Sequence, residues 1–147
     1  MEFDELIADF AKRHNVEDLV VVDGIAALDI DGIVVTMLHG DGMLVLSAEI
    51  GDPPAEGAAV FAGLLLEANL QSSAVFAKKQ GGGSYVVLRR LPLATVDGNA
   101  FDTALEEFVN LVETWRRLLA DFRPVAVEAA ESAAAGPSFG STGFMQV

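Results

Sequence analysis

The sequence predicts an α+β domain: helix, three-stranded antiparallel meander, helix, β-hairpin, long C-terminal helix. Three observations carry this. Residues 25–50 contain two Asp-Gly pairs, Asp31-Gly32 and Asp41-Gly42, each set between β-rich runs. Residues 101–122 repeat apolar side chains in alternating steps of four and three. Residues 3–10 carry a short apolar stripe of helical period.

The first helix is read over residues 2–14, EFDELIADFAKRH, with Phe3, Leu6, Ile7 and Phe10 on one face. Acids lead it and Lys12, Arg13 and His14 close it, which complements the helix dipole. The meander follows as IAALDI, IVVTMLH and MLVLSAEI. Asp-Gly joins such runs because a two-residue type I′ turn needs positive φ at both central residues. Ile33, Val35 and Met37 alternate with Val34, Thr36 and Leu38, so both faces of the second strand are largely apolar and cover is expected on more than one side.

Gly51-Asp52-Pro53-Pro54 ends the third strand and leads into a helix at 55–70, AEGAAVFAGLLLEANL. This helix has almost no polar face, since Glu56, Glu67 and Asn69 are its only strongly polar side chains. Residues 73–79 and 84–91 form a hairpin around Gly81-Gly82-Gly83. The last helix carries Phe101, Leu105, Phe108, Val112, Trp115, Leu119 and Phe122 as one seam, with Asn99 as its expected N-cap. It stops near Arg123, because the residue before Pro124 is pushed out of the α region. Residues 1–123 are thus one domain, and 124–147 an Ala/Gly/Ser-rich tail.

The chain of 147 residues is 52% hydrophobic yet carries a formal charge of -13. That combination fits a folded acidic protein and disfavours a phosphate backbone as partner. Cysteine is absent, which removes disulfides and thiolate metal sites and suits a reducing cytosol. The acidic N-terminus lacks a secretory pattern, and no apolar run approaches the ~20 residues of a membrane span. A soluble cytoplasmic protein is expected.

No catalytic constellation assembles. GPSFG at 136–140 matches G-x-S-x-G, but neither an acid nor a histidine follows Ser138 to complete a hydrolase triad. His14 and His39 are the only histidines, a poor basis for a metal site without cysteine. Asp23, Asp29, Asp31 and Asp41 lack the ligand spacing of a calcium loop. The glycine triplet at 81–83 has neither the Lys-Ser/Thr nor the helix of a phosphate loop. No enzyme activity, metal or cofactor is expected. The excess of apolar surface points instead to an interface, most simply a two-fold homodimer in which the 55–70 helix meets its copy.

The run from Leu44 through LSAEIGDPP to LLLEANL, then LRRLPL at 88–93 and LEEFVNLVETWRRLL at 105–119, resembles the class I type III secretion chaperones, the Tir chaperone family. The resemblance spans roughly residues 2–123. It implies a non-catalytic bacterial cytoplasmic homodimer that binds the N-terminal segment of a secreted effector and keeps it soluble and export-competent. It also implies docking on apolar patches and by strand addition to a sheet edge. The expected peptide-contacting residues are Phe3, Ile7, Phe10, Val35, Met37 and Val45. The expected dimer contacts are Val60, Phe61, Leu64 and Leu65, some of which face their own sheet. In the tail, Phe139, Phe144, Met145 and Val147 are spaced like the anchors of an extended ligand and are expected to occupy an apolar groove. The alternative is a peptide- or protein-binding adaptor on the same fold, with a partner outside type III secretion.

Overall fold

The structure, a computed structural model, describes residues 2–123. The tail and its four anchors lie outside the described residues. The elements are α1 (Phe3–Arg13), β1 (Ile25–Ile30), β2 (Ile33–Gly40), β3 (Met43–Gly51), α2 (Ala58–Gln71), β4 (Val75–Lys78), β5 (Tyr85–Pro92) and α3 (Gly98–Ala120). This is the predicted order.

The five strands form one antiparallel sheet in the order β1-β2-β3-β5-β4. Both predicted Asp-Gly turns have positive φ at each residue: 52° and 85° at Asp31-Gly32, 54° and 76° at Asp41-Gly42. A third pair, Asp23-Gly24, has the same signature at 54° and 76° and closes a short hairpin between Val22 and Ile25.

One face of the sheet carries the core. Cross-strand rows such as Ala26–Met37–Leu46 and Val87–Phe76 point to it. All three helices pack there. Phe3 of α1 stacks on His39 with ring centroids 4.6 Å apart, Phe61 of α2 lies 5.6 Å from Tyr85, and Trp115 of α3 lies 5.0 Å from Phe76. The seam of α3 supplies Phe101, Leu105, Phe108 and Val112 to this core. Truncating such a buried phenylalanine to alanine costs about 3–5 kcal/mol. The opposite face has no helix, so the expected cover on both sides is corrected: Val34 there is 48% exposed and Ile25 46%.

Two boundaries differ from expectation for local reasons. The second helix begins at Ala58, because Gly57 at φ 77° occupies its N-cap and turns the chain after the prolines. The last helix is capped by Asp97 rather than Asn99: its Oδ1 accepts from the Ala100 N–H at 2.8 Å. A carboxylate three residues before the N–H it accepts from makes the standard capping bond, and Asn99 falls inside the first turn.

Candidate functional site

The fold leaves three surfaces for recognition: the outer face of α2, the two sheet edges, and a cleft between α1 and α3.

On α2 only Phe61 and Leu65 are buried. Helical period sets Ala59, Gly63, Leu66 and Leu70 on the opposite side, at steps of four, three and four. Leu66 is 67% exposed and Leu70 87%. Leu64 is partly exposed and Val60 half-buried. Of the four residues singled out for dimer contact, Phe61 and Leu65 therefore sit in their own core. The outer stripe through Leu66 and Leu70 was not singled out, although the same period in the sequence contains it. A shallow apolar groove of about 160 Å³ runs beside it, lined by Ala62, Leu65, Leu66, Phe76, Ala77 and Tyr85.

The sheet edges differ. Along β4, Phe76 turns its main-chain groups outward, since the Lys79 N–H donates inward to the Ser84 carbonyl and alternation puts Phe76 on the other side. Asn69 of α2 takes both groups. Its Nδ2 donates to the Phe76 carbonyl at 3.2 Å, and its Oδ1 accepts from the Phe76 N–H at 2.7 Å. One side chain thus replaces a neighbouring strand and seals that edge at its centre.

Along β1 the outward groups belong to Ile25, Ala27 and Asp29. Ile25 exchanges two hydrogen bonds with Val22, at 2.9 and 3.1 Å. The chain before Val22 then leaves the edge. Among the described residues, the outward main-chain groups of Ala27 and Asp29 have no main-chain partner. Asp29 Oδ1 accepts from the Gly32 N–H at 2.9 Å, which holds the adjoining turn.

The cleft, about 460 Å³, opens beside the β1 end of the sheet. Its floor is Phe10, Ile30, Leu105 and Val109, and Asp31, Asp102 and Glu106 stand on its rim. Arg13 fixes one wall. Its guanidinium donates to Asp102 Oδ1 at 3.0 Å, to Asp9 Oδ2 at 2.7 Å and to the Gly98 carbonyl at 3.3 Å. The Arg13 hydrogen bond holds the Asp102 carboxyl below its ordinary range, against the upward push of burial, with His14 adding to the depression. The same pairing raises Arg13. His14, which also lines the cleft, lies with its Nε2 3.1 Å from Asp102 Oδ2, and among the described residues Asp31 and Glu106 make no ion pair.

Five of the six residues expected to touch a peptide are packed inside the chain: Phe3, Ile7, Phe10, Val35 and Met37. Phe10 is the exception in one respect, because it also floors the cleft. Val45 lies half-buried on the helix-free face. Alternation along β2 makes one apolar set core and the other surface, and the sequence alone does not rank them. Among the described residues no group of three or more His, Asp or Glu side chains is placed to hold a metal ion. No helix there is long and apolar enough to cross a membrane.

The Tir chaperone protein (CesT) family model matches residues 5–116, which takes in every element from α1 to most of α3. The chain belongs to this family. Solved structures agree in fold. The ExsC–ExsE complex aligns with TM-score 0.69 and 22% identity, over 81% of this chain and 97% of that one. The Yersinia pestis type III secretion chaperone SycH, solved with a stable fragment of YscM2, aligns with TM-score 0.63 and 19% identity over 78% and 99%. The HopA1–SchA chaperone–effector complex aligns with TM-score 0.67 and 16% identity over 78% and 93%. No curated protein matches the chain by sequence.

Within this chaperone fold, the segments that carried the sequence resemblance fall on structural joints. LLLEANL ends α2 and contains the Asn69 that seals β4. LRRLPL ends β5, where Arg89 reaches across to Glu107 of α3 at 2.9 Å.

Proposed function

We propose that this chain is a non-catalytic secretion chaperone that works as a homodimer in the bacterial cytoplasm. It holds the N-terminal segment of a type III secretion effector in extended form, soluble and ready for export. The observation that carries this reading is the family match across the whole folded domain. Three features support it. The β1 edge offers unpaired main-chain groups at Ala27 and Asp29, and strand addition takes its affinity from such groups. The helix-free face beside that edge is partly apolar through Ile25, Val34 and Val45, which suits alternate side chains of an extended peptide. The stripe Ala59–Gly63–Leu66–Leu70 is apolar and contiguous on one face of α2, which suits an isologous contact with a second copy.

The test is co-purification of the tagged chain from its native host, with cross-linking to map the bound segment. Recovery of a secreted protein through its N-terminal region is expected, at a stoichiometry referred to a chaperone dimer by light scattering. A monomer at micromolar concentration, or a partner bound through a folded domain, would overturn the reading.

A further inference from the structure

β2 and β3 part before they end. Their register runs from Gly40↔Met43 to Thr36↔Ser47, although β2 starts at Ile33 and β3 runs on to Gly51. Arg116 of α3 fills the fork. Its Nε and Nη2 donate to the Glu49 carbonyl at 3.1 and 3.0 Å, and its Nη1 donates to the Gly32 carbonyl at 3.3 Å. These bonds bridge the parted strands, but they do not exhaust the side chain. A guanidinium carries five N–H donors, so two remain. Among the described residues Arg116 pairs with no carboxylate. The Glu49 carboxylate beside it is taken by Lys79.

The fork opens on the helix-free face as a pocket of about 330 Å³. Val34, Thr36, Ser47, Lys79 and Val86 line it with Arg116. Val34 is exposed and Val86 half-buried, so an apolar shelf adjoins the cation. The formal charge of -13 repels a free acidic ligand from this pocket. A single exposed ion pair is also weak, worth about 0–1 kcal/mol. An acid held on a tether escapes both limits, because its local concentration reaches the millimolar range.

The chain supplies such an acid. At the end of α3, Leu119 stands against Gly51, and the Phe122 ring centroid lies 5.3 Å from that of Phe61. The chain therefore leaves the fold at the end of the sheet that holds the fork. Residues 124–147 contain Glu128 and Glu131 and neither lysine nor arginine. These acids follow Arg123 by five and eight residues, a reach of up to about 17 and 27 Å. Arg116 lies two helical turns before Arg123, about 10 Å away along the axis. Phe139 follows Glu131 by a further eight residues, enough to cross to Val34 and Val86.

We infer that the 124–147 segment docks back on its own domain, with Glu128 and Glu131 at Arg116 in the β2–β3 fork and Phe139 on the shelf of Val34 and Val86. The acids complete the guanidinium, and the ring takes the apolar surface beside it. A partner that uses Val34 competes with this segment.

The chain has no cysteine, so one introduced thiol carries a nitroxide label at a known place. Ser132→Cys is labelled in the full chain, and methyl NMR signals report which side chains lie near it. The Val34 and Val86 methyls should broaden, and those of Leu66 and Leu70 on α2 should not. Glu128→Gln with Glu131→Gln should remove most of the broadening at Val34, as should high salt. Broadening at Leu66 and Leu70 instead, or at neither place, overturns the docking site. Broadening that the double Gln variant leaves unchanged overturns the role of Arg116. Mixing spin-labelled chains with unlabelled, isotope-enriched ones should give no broadening. Broadening as strong in the mixture as in the single chain overturns docking within one chain in favour of exchange between copies. Each of these failures leaves the peptide-binding reading to the co-purification experiment, which does not depend on them.

Discussion

Asn69 and Phe76 form a two-way pair in which a side-chain amide does the work of a missing strand. The carboxamide of Asn69 donates to the Phe76 carbonyl and accepts from its N–H, at 3.2 and 2.7 Å. The pair binds the end of α2 to the centre of β4 and buries the Phe76 side chain beneath Trp115.

Asn69→Ala should destabilise the domain by about 1–3 kcal/mol, because it leaves a partly buried donor and acceptor unpaired. Urea unfolding followed by Trp115 fluorescence measures this directly. The variant should also aggregate more readily, since the β4 edge becomes open. A loss below a few tenths of a kcal/mol would show that water replaces the amide freely.

Asp102 ties α3 to α1 through Arg13, and this tie should depend on pH. Its carboxyl is held below the ordinary value of 3.8, first by the Arg13 hydrogen bond. A carboxyl lowered in the folded state contributes stability above its unfolded pKa, and that contribution fades as pH falls through the folded value. The melting temperature of Asp102→Asn should therefore lie below that of the parent at neutral pH. The difference should close as pH drops below the ordinary carboxylate range. Circular-dichroism melts across that range check it, and a pH-independent gap would be the contrary result.

Leu66→Asp and Leu70→Asp should abolish self-association with little change in the stability of the single chain. Both side chains are largely exposed in the chain itself, so a charge there costs little unless a partner covers it. Phe61→Ala should do the reverse and cost about 3–5 kcal/mol, because Phe61 is core. Light scattering and denaturant unfolding separate the two outcomes.

Gly51 sits at the register shift between β3 and β5, with φ 151°. An added Cβ would stand 2.9 Å from Leu119 Cδ2. Gly51→Ala should cost about 1–3 kcal/mol through backbone strain and this contact. It should also loosen Arg116, which donates to the Glu49 carbonyl at 3.0 and 3.1 Å just before the shift. Thermal melting of the variant, with faster hydrogen exchange in β3, is the expected readout.

Much of the fold was legible because it is local. The seam from Phe101 to Phe122 announces α3 by its period, and the Asp-Gly pairs announce two turns by their φ requirement. The third pair, Asp23-Gly24, carries the same signal between Val20-Val21-Val22 and Ile25, and the sequence reading passed over it. Asn69 was visible only as a polar residue near a helix end, because its partner lies seven residues on, across a turn. The Arg13–Asp102 tie spans 89 residues, and nothing local to either residue marks it.

By itself, the sequence determined the element order, the turns, the apolar excess of the second helix and the family pattern. These follow from periodicity and backbone preference within a few residues. The tertiary structure decided which apolar set is core and which is surface. It placed Phe61 and Leu65 inside and Leu66 and Leu70 outside, and it buried Val35 and Met37 while leaving Val34 exposed. It also decided that Asn69 closes the β4 edge at Phe76 while Ala27 and Asp29 on the β1 edge lack a main-chain partner among the described residues. The physical reason is the same in each case. When both faces of a strand or helix are apolar, its own pattern does not choose the buried side, and the choice falls to contacts made by residues distant in the chain.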